Sequence, residues 1–133
     1  STRQDSGDDV VAERSYRQLR VWKLGVELVQ QIYPLTERLS VNEKFGLCSQ
    51  MQRAAVSIPA NIAEGYGRLH RGDYIPHLSI ARGSLMELET LLVIAVKLNK
   101  LTRDDVIPVG RTGQKVGRML TKLIQSLRNT EPS

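Results

Sequence analysis

Apolar residues recur at intervals of three and four positions in four stretches of the chain, the spacing that places them on one face of an α-helix. The pattern predicts helices over residues 16–39, 43–66, 73–99 and 102–129. Nowhere does it alternate with the period of two that is typical of a half-buried strand. The sequence therefore predicts an all-α protein.

Each predicted helix has one apolar seam, and we expect the four seams to face a common core. The first seam consists of Leu19, Trp22, Val26, Val29 and Tyr33. The second consists of Cys48, Met51, Ala55, Ile58 and Ile62. The third consists of Tyr74, Leu78, Ala81, Leu85, Leu88, Leu92 and Ala95. The fourth consists of Val109, Gly113, Val116, Leu120, Leu123 and Leu127.

Prolines and capping residues indicate where these predicted helices bend and where they begin. Pro34, Pro59 and Pro108 lie inside them, where the missing N–H and the ring predict a bend or a restart. Asn42 and Thr102 precede apolar runs and are the predicted N-caps of the second and fourth helices.

Glycines mark two further places. Gly65 and Gly67 suit the end of the second helix, where a left-handed residue is expected. Gly110, Gly113 and Gly117 give the fourth helix a small face that another helix can approach closely, at a cost of about 1 kcal/mol each in helix propensity.

Four amphipathic helices joined by short loops predict an antiparallel up-down four-helix bundle. We assign residues 16–129 to the bundle, residues 1–15 to a disordered acidic tail and residues 130–133 to a frayed C-terminus. The run Leu91–Val96 is apolar on all sides, so we expect the bundle core or another subunit to bury it on more than one side. This predicts an oligomer.

One stretch, RAAVSIPANIAEGYGR over residues 53–68, resembles the signature of the 23S rRNA intervening-sequence protein family, also called the four helix bundle protein family. Segments 21–23, 45–47 and 81–90 fit the same family, and the resemblance covers residues 19–127. It implies an up-down four-helix bundle that assembles as a ring-shaped homopentamer. It also implies distant similarity to the accessory protein of diversity-generating retroelements, which binds nucleic acid and a reverse transcriptase, and it implies no enzymatic activity.

The charge of the chain favours polyanionic partners. Its 133 residues carry a formal charge of +5; the first 13 hold one cation and four carboxylates, net −3, which leaves +8 for the remainder. Such a domain attracts RNA, DNA or anionic lipid, although a basic surface that serves only solubility is equally compatible. We expect a cytoplasmic protein without a membrane role, because the chain shows neither a signal-peptide core nor an apolar run long enough to span a bilayer.

Two groups of residues are candidates for function. The candidate phosphate contacts are long cations on the fourth helix and in a glycine-flanked loop: Arg68, His70, Arg71, Arg111, Lys115, Arg118 and Lys122. The candidate structural polar network, in which Arg82 meets Glu64 or Asn61 within or between subunits, consists of Arg53, Asn61, Glu64, Arg82 and Glu87.

Catalytic and metal sites find little support in the sequence. The Glu-x-x-His motif of bundle metal sites is missing, so Glu64, Glu87 and Glu89 indicate charge pairing. His70, Asp73 and His77 form only a weak zinc pattern. We therefore predict no cofactor and no catalytic residue.

The leading hypothesis is a non-enzymatic, oligomeric bundle that binds structured RNA, DNA or a protein of a ribonucleoprotein complex, as an accessory or scaffold. The alternative is a protein–protein adaptor with no nucleic-acid role. An enzyme with a site around Glu64, Arg82 and Glu87 is a third hypothesis.

Overall fold

The computed structural model describes Tyr16, residues 19–68 and residues 71–130, with their side chains except at positions 45, 71 and 130. Within these residues there are four α-helices and no strand, so the all-α prediction is confirmed. The helices are α1 (Arg20–Glu37), α2 (Ser49–Tyr66), α3 (Arg71–Lys97) and α4 (Arg103–Thr130). The predicted acidic tail and residues 131–133 lie outside the described residues.

The helices form a bundle around one aliphatic core. Each packs against the next along the chain, and α4 also packs against α1. The largest fully buried side chains come from all four helices: Leu28, Ile32, Met51, Ile58, Ile62, Leu78, Leu88, Val116, Leu120 and Ile124. None of them is aromatic, in keeping with a chain in which only 5% of residues are aromatic.

The predicted seams of α2 and α3 are confirmed, whereas that of α1 is wrong. In α1 the buried residues include Val21, Gly25, Leu28 and Ile32, while most of the predicted seam is half-buried and Tyr33 is exposed. The apolar arc of α1 is wide enough for two seams, and the one containing Gly25 faces inward. A Cβ atom at Gly25 would lie 3.3 Å from the Cβ of Pro59, so this face allows α1 to approach α2 closely.

The seam of α4 is correct as far as Leu120 and then shifts. Ile124 is buried in the last part of the helix, while Leu123 and Leu127 are half-buried at the edge of the core. All three are aliphatic, so residue type alone does not distinguish the buried position from the two beside it.

The start of the second helix differs from the prediction. A 3₁₀ turn over Val41–Glu43 and a π-helical turn over Lys44–Cys48 precede α2. Gly46 has non-helical dihedral angles, φ −109° and ψ −105°, which a residue without Cβ adopts readily. Asn42 lies inside the 3₁₀ turn, so its prediction as an N-cap is wrong.

Each of the three prolines lies within a single assigned helix, so the restart predicted at Pro108 does not occur. The left-handed ending predicted for α2 is also wrong, because Gly67 has φ −76° and right-handed geometry. Within the described residues the one non-glycine residue with positive φ is Asn99, at 59°, directly after α3.

Gly65 has a packing role instead. It is buried where the end of α2 meets the start of α3. A Cβ atom at this position would lie 2.8 Å from the Cβ of His77, 3.0 Å from Cδ1 of Tyr74 and 3.2 Å from the carbonyl oxygen of Tyr74. The first distance is shorter than real Cβ contacts, so only glycine fits without displacement of α3.

Gly65→Ala should therefore lower the free energy of unfolding, by about 1–3 kcal/mol, because α3 must move to admit the methyl group. Gly83→Ala is the matched control: Gly83 lies exposed in α3, and a Cβ there would meet no atom within 4 Å. Because alanine has a higher helix propensity than glycine, Gly83→Ala should raise the free energy of unfolding by up to about 1 kcal/mol. Urea unfolding of both variants measures the difference, and equal effects would contradict the close contact.

Candidate nucleic-acid interface

The four cations predicted on the fourth helix lie on the exposed surface of α4. Arg111, Lys115, Arg118 and Lys122, which we call the basic stripe, are separated by steps of four, three and four residues and share one side of the helix. No ion pair within the described part of the chain includes any of them. The basic stripe therefore presents four positive charges to solvent.

A reciprocal cap fixes the start of α4. The Asp105 amide donates to Oγ1 of Thr102 at 3.1 Å, and the Thr102 amide donates to Oδ2 of Asp105 at 2.8 Å. The cap predicted at Thr102 is thus confirmed. Arg38, directly after α1, adds a 2.6 Å ion pair to Oδ1 of Asp105, which links the end of α1 to the start of α4.

These bonds hold the Asp105 carboxylate in its charged form. The Thr102 amide contributes most, and the Arg38 guanidinium adds to it, so the pKa of Asp105 lies below its usual value. The helix that carries the basic stripe thus begins at a carboxylate that stays charged to a lower pH than an ordinary aspartate.

The basic stripe borders a groove between α3 and α4, which we call the α3–α4 groove. Arg118 and Lys122 line one wall, and Arg82 on α3 lines the other. Arg82 donates from Nη1 to Oγ1 of Thr121 at 3.3 Å, across the gap between the helices. The groove thus brings a third cation, from the predicted polar network, beside two members of the basic stripe.

Two glycines of α4 shape the floor of this groove. Cβ atoms at Gly113 and Gly117 would lie 3.4 and 3.3 Å from the methyl groups of Leu85. The close approach predicted for the small face of α4 is confirmed at these two positions, while a Cβ at Gly110 would meet nothing within 4 Å.

The cations predicted between α2 and α3 are less available. Arg68 donates from Nη2 to Oε2 of Glu64 at 2.9 Å, so its charge is paired. Arg71 is the first residue of α3, but its side chain is not described, and His70 lies outside the described residues. The basic stripe is therefore the stronger of the two predicted phosphate-contact regions.

The candidate polar network divides into separate contacts within one chain. Glu64 pairs with Arg68, and Nε2 of His77 lies 3.3 Å from Oε2 of the same carboxylate. Arg82 bonds to Thr121 instead. Asn61 donates to the backbone oxygen and the hydroxyl of Ser57, at 2.9 and 3.0 Å. The pairing of Arg82 with Glu64 or Asn61 is not formed within this chain, and the version between subunits stays a prediction.

The remaining two members of that network are at the surface. Arg53 is exposed beside a shallow groove between α1 and α2, which Tyr33 and Lys44 also line, and Glu87 is exposed on α3. The hydroxyl of Ser57, in the 53–68 stretch that carries the family resemblance, lies 2.8 Å from the hydroxyl of Ser84. This hydrogen bond links α2 to α3. The roles of Ser84 and Thr121 have no signal in the sequence, because a single hydroxyl at a half-buried helix position forms no distinctive pattern.

The residues that the sequence analysis considered as metal ligands either lie apart from one another or contact other groups. Glu64 is paired with Arg68 and lies beside His77, while Nδ1 of His77 lies 2.9 Å from the Asp73 carbonyl oxygen. Asp73, considered above as a helix start, lies within the first turn of α3. The described residues include no group of three or more His, Cys, Asp or Glu side chains arranged to hold a metal ion.

None of the described helices is both long and apolar enough to cross a membrane.

Comparison with known proteins agrees with the resemblance carried by α2. Residues 17–122 match the family described as 23S rRNA-intervening sequence protein. The chain belongs to this family. It is also similar to a crystal structure, at 1.70 Å resolution, of a protein of unknown function from the S23 ribosomal protein family of Bacteroides thetaiotaomicron VPI-5482, with 28% identity and a TM-score of 0.72. That similarity covers 78% of this chain and 97% of the other. No curated protein matches the chain.

The part of the chain that matches the 23S rRNA-intervening sequence family contains the whole basic stripe and the polar contacts of α2 and α3. Neither the family description nor that of the crystal structure names a reaction or a ligand. Family membership therefore supports the helical fold, and the exposed surface is what bears on function.

Asp105→Asn should destabilise the protein near neutral pH, because the variant loses the charged partner of the Thr102 amide and of Arg38. Since folding lowers the pKa of Asp105, its contribution is present above the unfolded pKa of about 4 and is lost as the pH falls through the folded pKa. The difference in unfolding free energy between wild type and variant should therefore shrink as the pH falls from about 6 to about 3.

Urea unfolding at several pH values measures this difference. Asp104→Asn, which removes the neighbouring exposed carboxylate and leaves the cap intact, is the control and should have the smaller effect near neutral pH. A difference between wild type and Asp105→Asn that stays constant over this pH range would contradict the role of the carboxylate.

Proposed function

We propose that this protein is a non-enzymatic, oligomeric helical-bundle protein that binds structured RNA or a ribonucleoprotein through the basic stripe, as an accessory or scaffold. The observation that carries the proposal is the exposure of four cations on one side of α4 without a carboxylate partner in the described residues. Arg38, Arg68 and Lys100 are each within 3.0 Å of a carboxylate oxygen. Other exposed cations, such as Arg20 and Lys23 on α1, also have no ion pair among the described residues, so the stripe is distinguished by having four cations on one side of one helix. The α4 cations are thus available for a ligand.

Polyanion binding through such a surface requires no base reading. Long cations that neutralise backbone phosphates release condensed counterions, and this release supplies affinity that falls steeply with salt. A helix face with cations at regular intervals recognises the shape of an RNA backbone more readily than its sequence.

We infer that the bundle is antiparallel and up-down. Arg82 meets Thr121, while Glu89 lies 3.5 Å from the Cβ position of Gly113, so residues later in α3 lie beside residues earlier in α4. The short connections between consecutive helices and the contact of α4 with α1 support the same arrangement.

We also propose that the protein self-associates, as a pentamer by the resemblance of its α2 motif. The supporting feature is a group of exposed apolar side chains near the adjoining ends of α3 and α4. Val93, Leu98 and Ile107 are 53%, 57% and 44% exposed, and Val93 and Ile107 line a groove of about 470 Å³. In a ring, each subunit would repeat the basic stripe, and modest contacts would add through multivalency.

The same apolar groove favours the alternative of a protein–protein adaptor. Leu92, Val93, Val96 and Ile107 line it together with three charged residues, a combination suited to an apolar anchor with a polar rim. Recovery of a specific protein partner after nuclease treatment, together with no RNA binding at low salt, would favour the adaptor.

For the oligomer, light scattering at micromolar concentration should give a mass several times the 14.9 kDa of one chain, and five times that mass for the pentamer. The paired substitution Val93→Lys and Ile107→Lys should reduce the mass, because it places charge in the apolar contact. Ile80→Lys, at an apolar position of α3 that is 52% exposed and does not line this groove, is the control and should leave it unchanged. A monomeric wild-type protein would refute self-association.

For RNA binding, replacing the four stripe residues by glutamate should abolish affinity for a fluorescent structured RNA while helicity is retained. Replacing Arg20 and Lys23, two exposed cations of α1, by glutamate is the control for a general change of charge, and should weaken binding less than the same change at Arg118 and Lys122. A salt titration of the wild type should show affinity falling steeply, with each lost phosphate contact lowering the slope by about one. Unchanged affinity in the fourfold variant would overturn the assignment of the stripe.

A further inference from the structure

The α3–α4 groove combines two surfaces that the basic stripe alone does not have. Its floor is apolar, formed by Leu85, the exposed Met86 and the glycines at 113 and 117. Its rim carries Arg118 and Lys122 on α4. Arg111 and Lys115 are exposed on the same helix but do not line it. The four stripe residues are therefore inequivalent.

The opposite wall adds a positioned cation. Arg82 is half-buried, and its guanidinium is tethered at 3.3 Å to the hydroxyl of Thr121. A guanidinium has further N–H donors beyond the one used here, and its planar fork matches phosphate oxygens. Arg82 thus remains able to donate to an anion located between it and Lys122.

Charge varies along the groove. Glu89 is the single carboxylate among the residues that line it, and one of its oxygens lies 3.5 Å from the Cβ position of Gly113. Thr121 and Lys122 lie two turns further along α4. One end of the groove is therefore positive, and the other end has a negative charge above an apolar floor.

We propose that the α3–α4 groove binds one unpaired nucleotide of an RNA strand. The phosphate group lies between Arg82, Arg118 and Lys122, and the base lies over the floor formed by Leu85, Met86 and the two glycines. The proposal rests on the proposed function and deepens it, because it names unpaired RNA as the ligand class and adds Arg82 as a binding residue outside the stripe.

The dimensions and chemistry of the groove support this occupant. Its volume of about 650 Å³ is within the range of small-ligand sites, roughly 300–1,000 Å³. A base in a duplex is stacked within the helix and cannot lie on a protein surface, whereas bases in loops and bulges are available. A peptide that offers carboxylates alone would use the rim cations but would leave the apolar floor uncovered.

The first test uses uridine monophosphate as a probe of the groove itself. In two-dimensional NMR spectra, uridine monophosphate should shift the backbone amide signals of Gly113 and Gly117, and Arg82→Gln should abolish these shifts. Uridine and inorganic phosphate, each carrying one half of the ligand, should produce smaller shifts. Equal shifts with inorganic phosphate alone would show a plain anion site and overturn the nucleotide assignment.

The second test compares a labelled oligouridylate with a duplex RNA that has the same number of phosphates. Arg82→Gln should weaken oligouridylate binding about tenfold, the loss of one charge-assisted contact, and should affect the duplex less. Arg118→Gln with Lys122→Gln should weaken it more than the charge-matched pair Arg111→Gln with Lys115→Gln. Glu89→Gln should strengthen it, because it removes the negative charge from the groove.

The outcomes separate this inference from the proposed function. If both pairs weaken RNA binding equally and Arg82→Gln has no effect, the stripe binds RNA and the groove assignment fails. If uridine monophosphate binds in the groove but RNA does not bind at low salt, the groove is a site for a free nucleotide, and both the RNA assignment and the proposed function fail. Thr121→Val, which removes the hydroxyl that accepts from Arg82 and keeps every charge, controls for lost packing and should weaken binding less than Arg82→Gln. Stronger binding of an acidic peptide than of oligouridylate would overturn the choice of ligand.

Discussion

The structure depends on close approach of helix backbones through residues without side-chain bulk. Consecutive helices meet at a glycine in each case: Gly25 against Pro59, Gly65 against Tyr74 and His77, and Gly113 and Gly117 against Leu85. A core of aliphatic side chains, with few aromatic residues to span larger gaps, is filled only if the helices lie close together. Small residues at these crossings allow that spacing, at the cost of helix propensity.

The same constraint creates the surface argued to be functional. Where α3 approaches α4, Leu85 fits against two glycines, so the outer side of this contact has no large side chain to fill it. The α3–α4 groove results, with cations from both helices along its rim. The contact between α3 and α4 therefore both packs the core and forms the candidate binding surface. Both requirements act on the same residues of α4.

The sequence predicts the fold class, the seams of α2 and α3 and that of α4 as far as Leu120, because a periodic apolar pattern reports directly on burial. The face of α1 was misassigned because its apolar arc is wide, and the inward face is chosen by the contact of Gly25 with Pro59, a residue far along the chain. The start of α2 and the role of Gly65 were missed for a similar reason: a glycine that permits close packing and one that ends a helix look identical in sequence. Of the candidate site, the exposure of the basic stripe was predictable from spacing. The position of Arg82 beside it was not, since it depends on the register between α3 and α4.

The distribution of ion pairs gives the basic stripe its significance. At the ends of the bundle, two ion pairs join separate elements, Arg38 with Asp105 and Lys100 with Glu43. A third, between Arg68 and Glu64, lies within one helix end. Exposed pairs of this kind contribute little stability each, yet they neutralise the local surface. Along the middle of α4 the described residues supply no such partner, so four like charges repel one another on a single helix face. That repulsion costs free energy in the isolated protein. A polyanion bound along α4 would remove this repulsion. Solubility needs charged residues but does not need four like charges on one helix face, so polyanion binding accounts for their arrangement better.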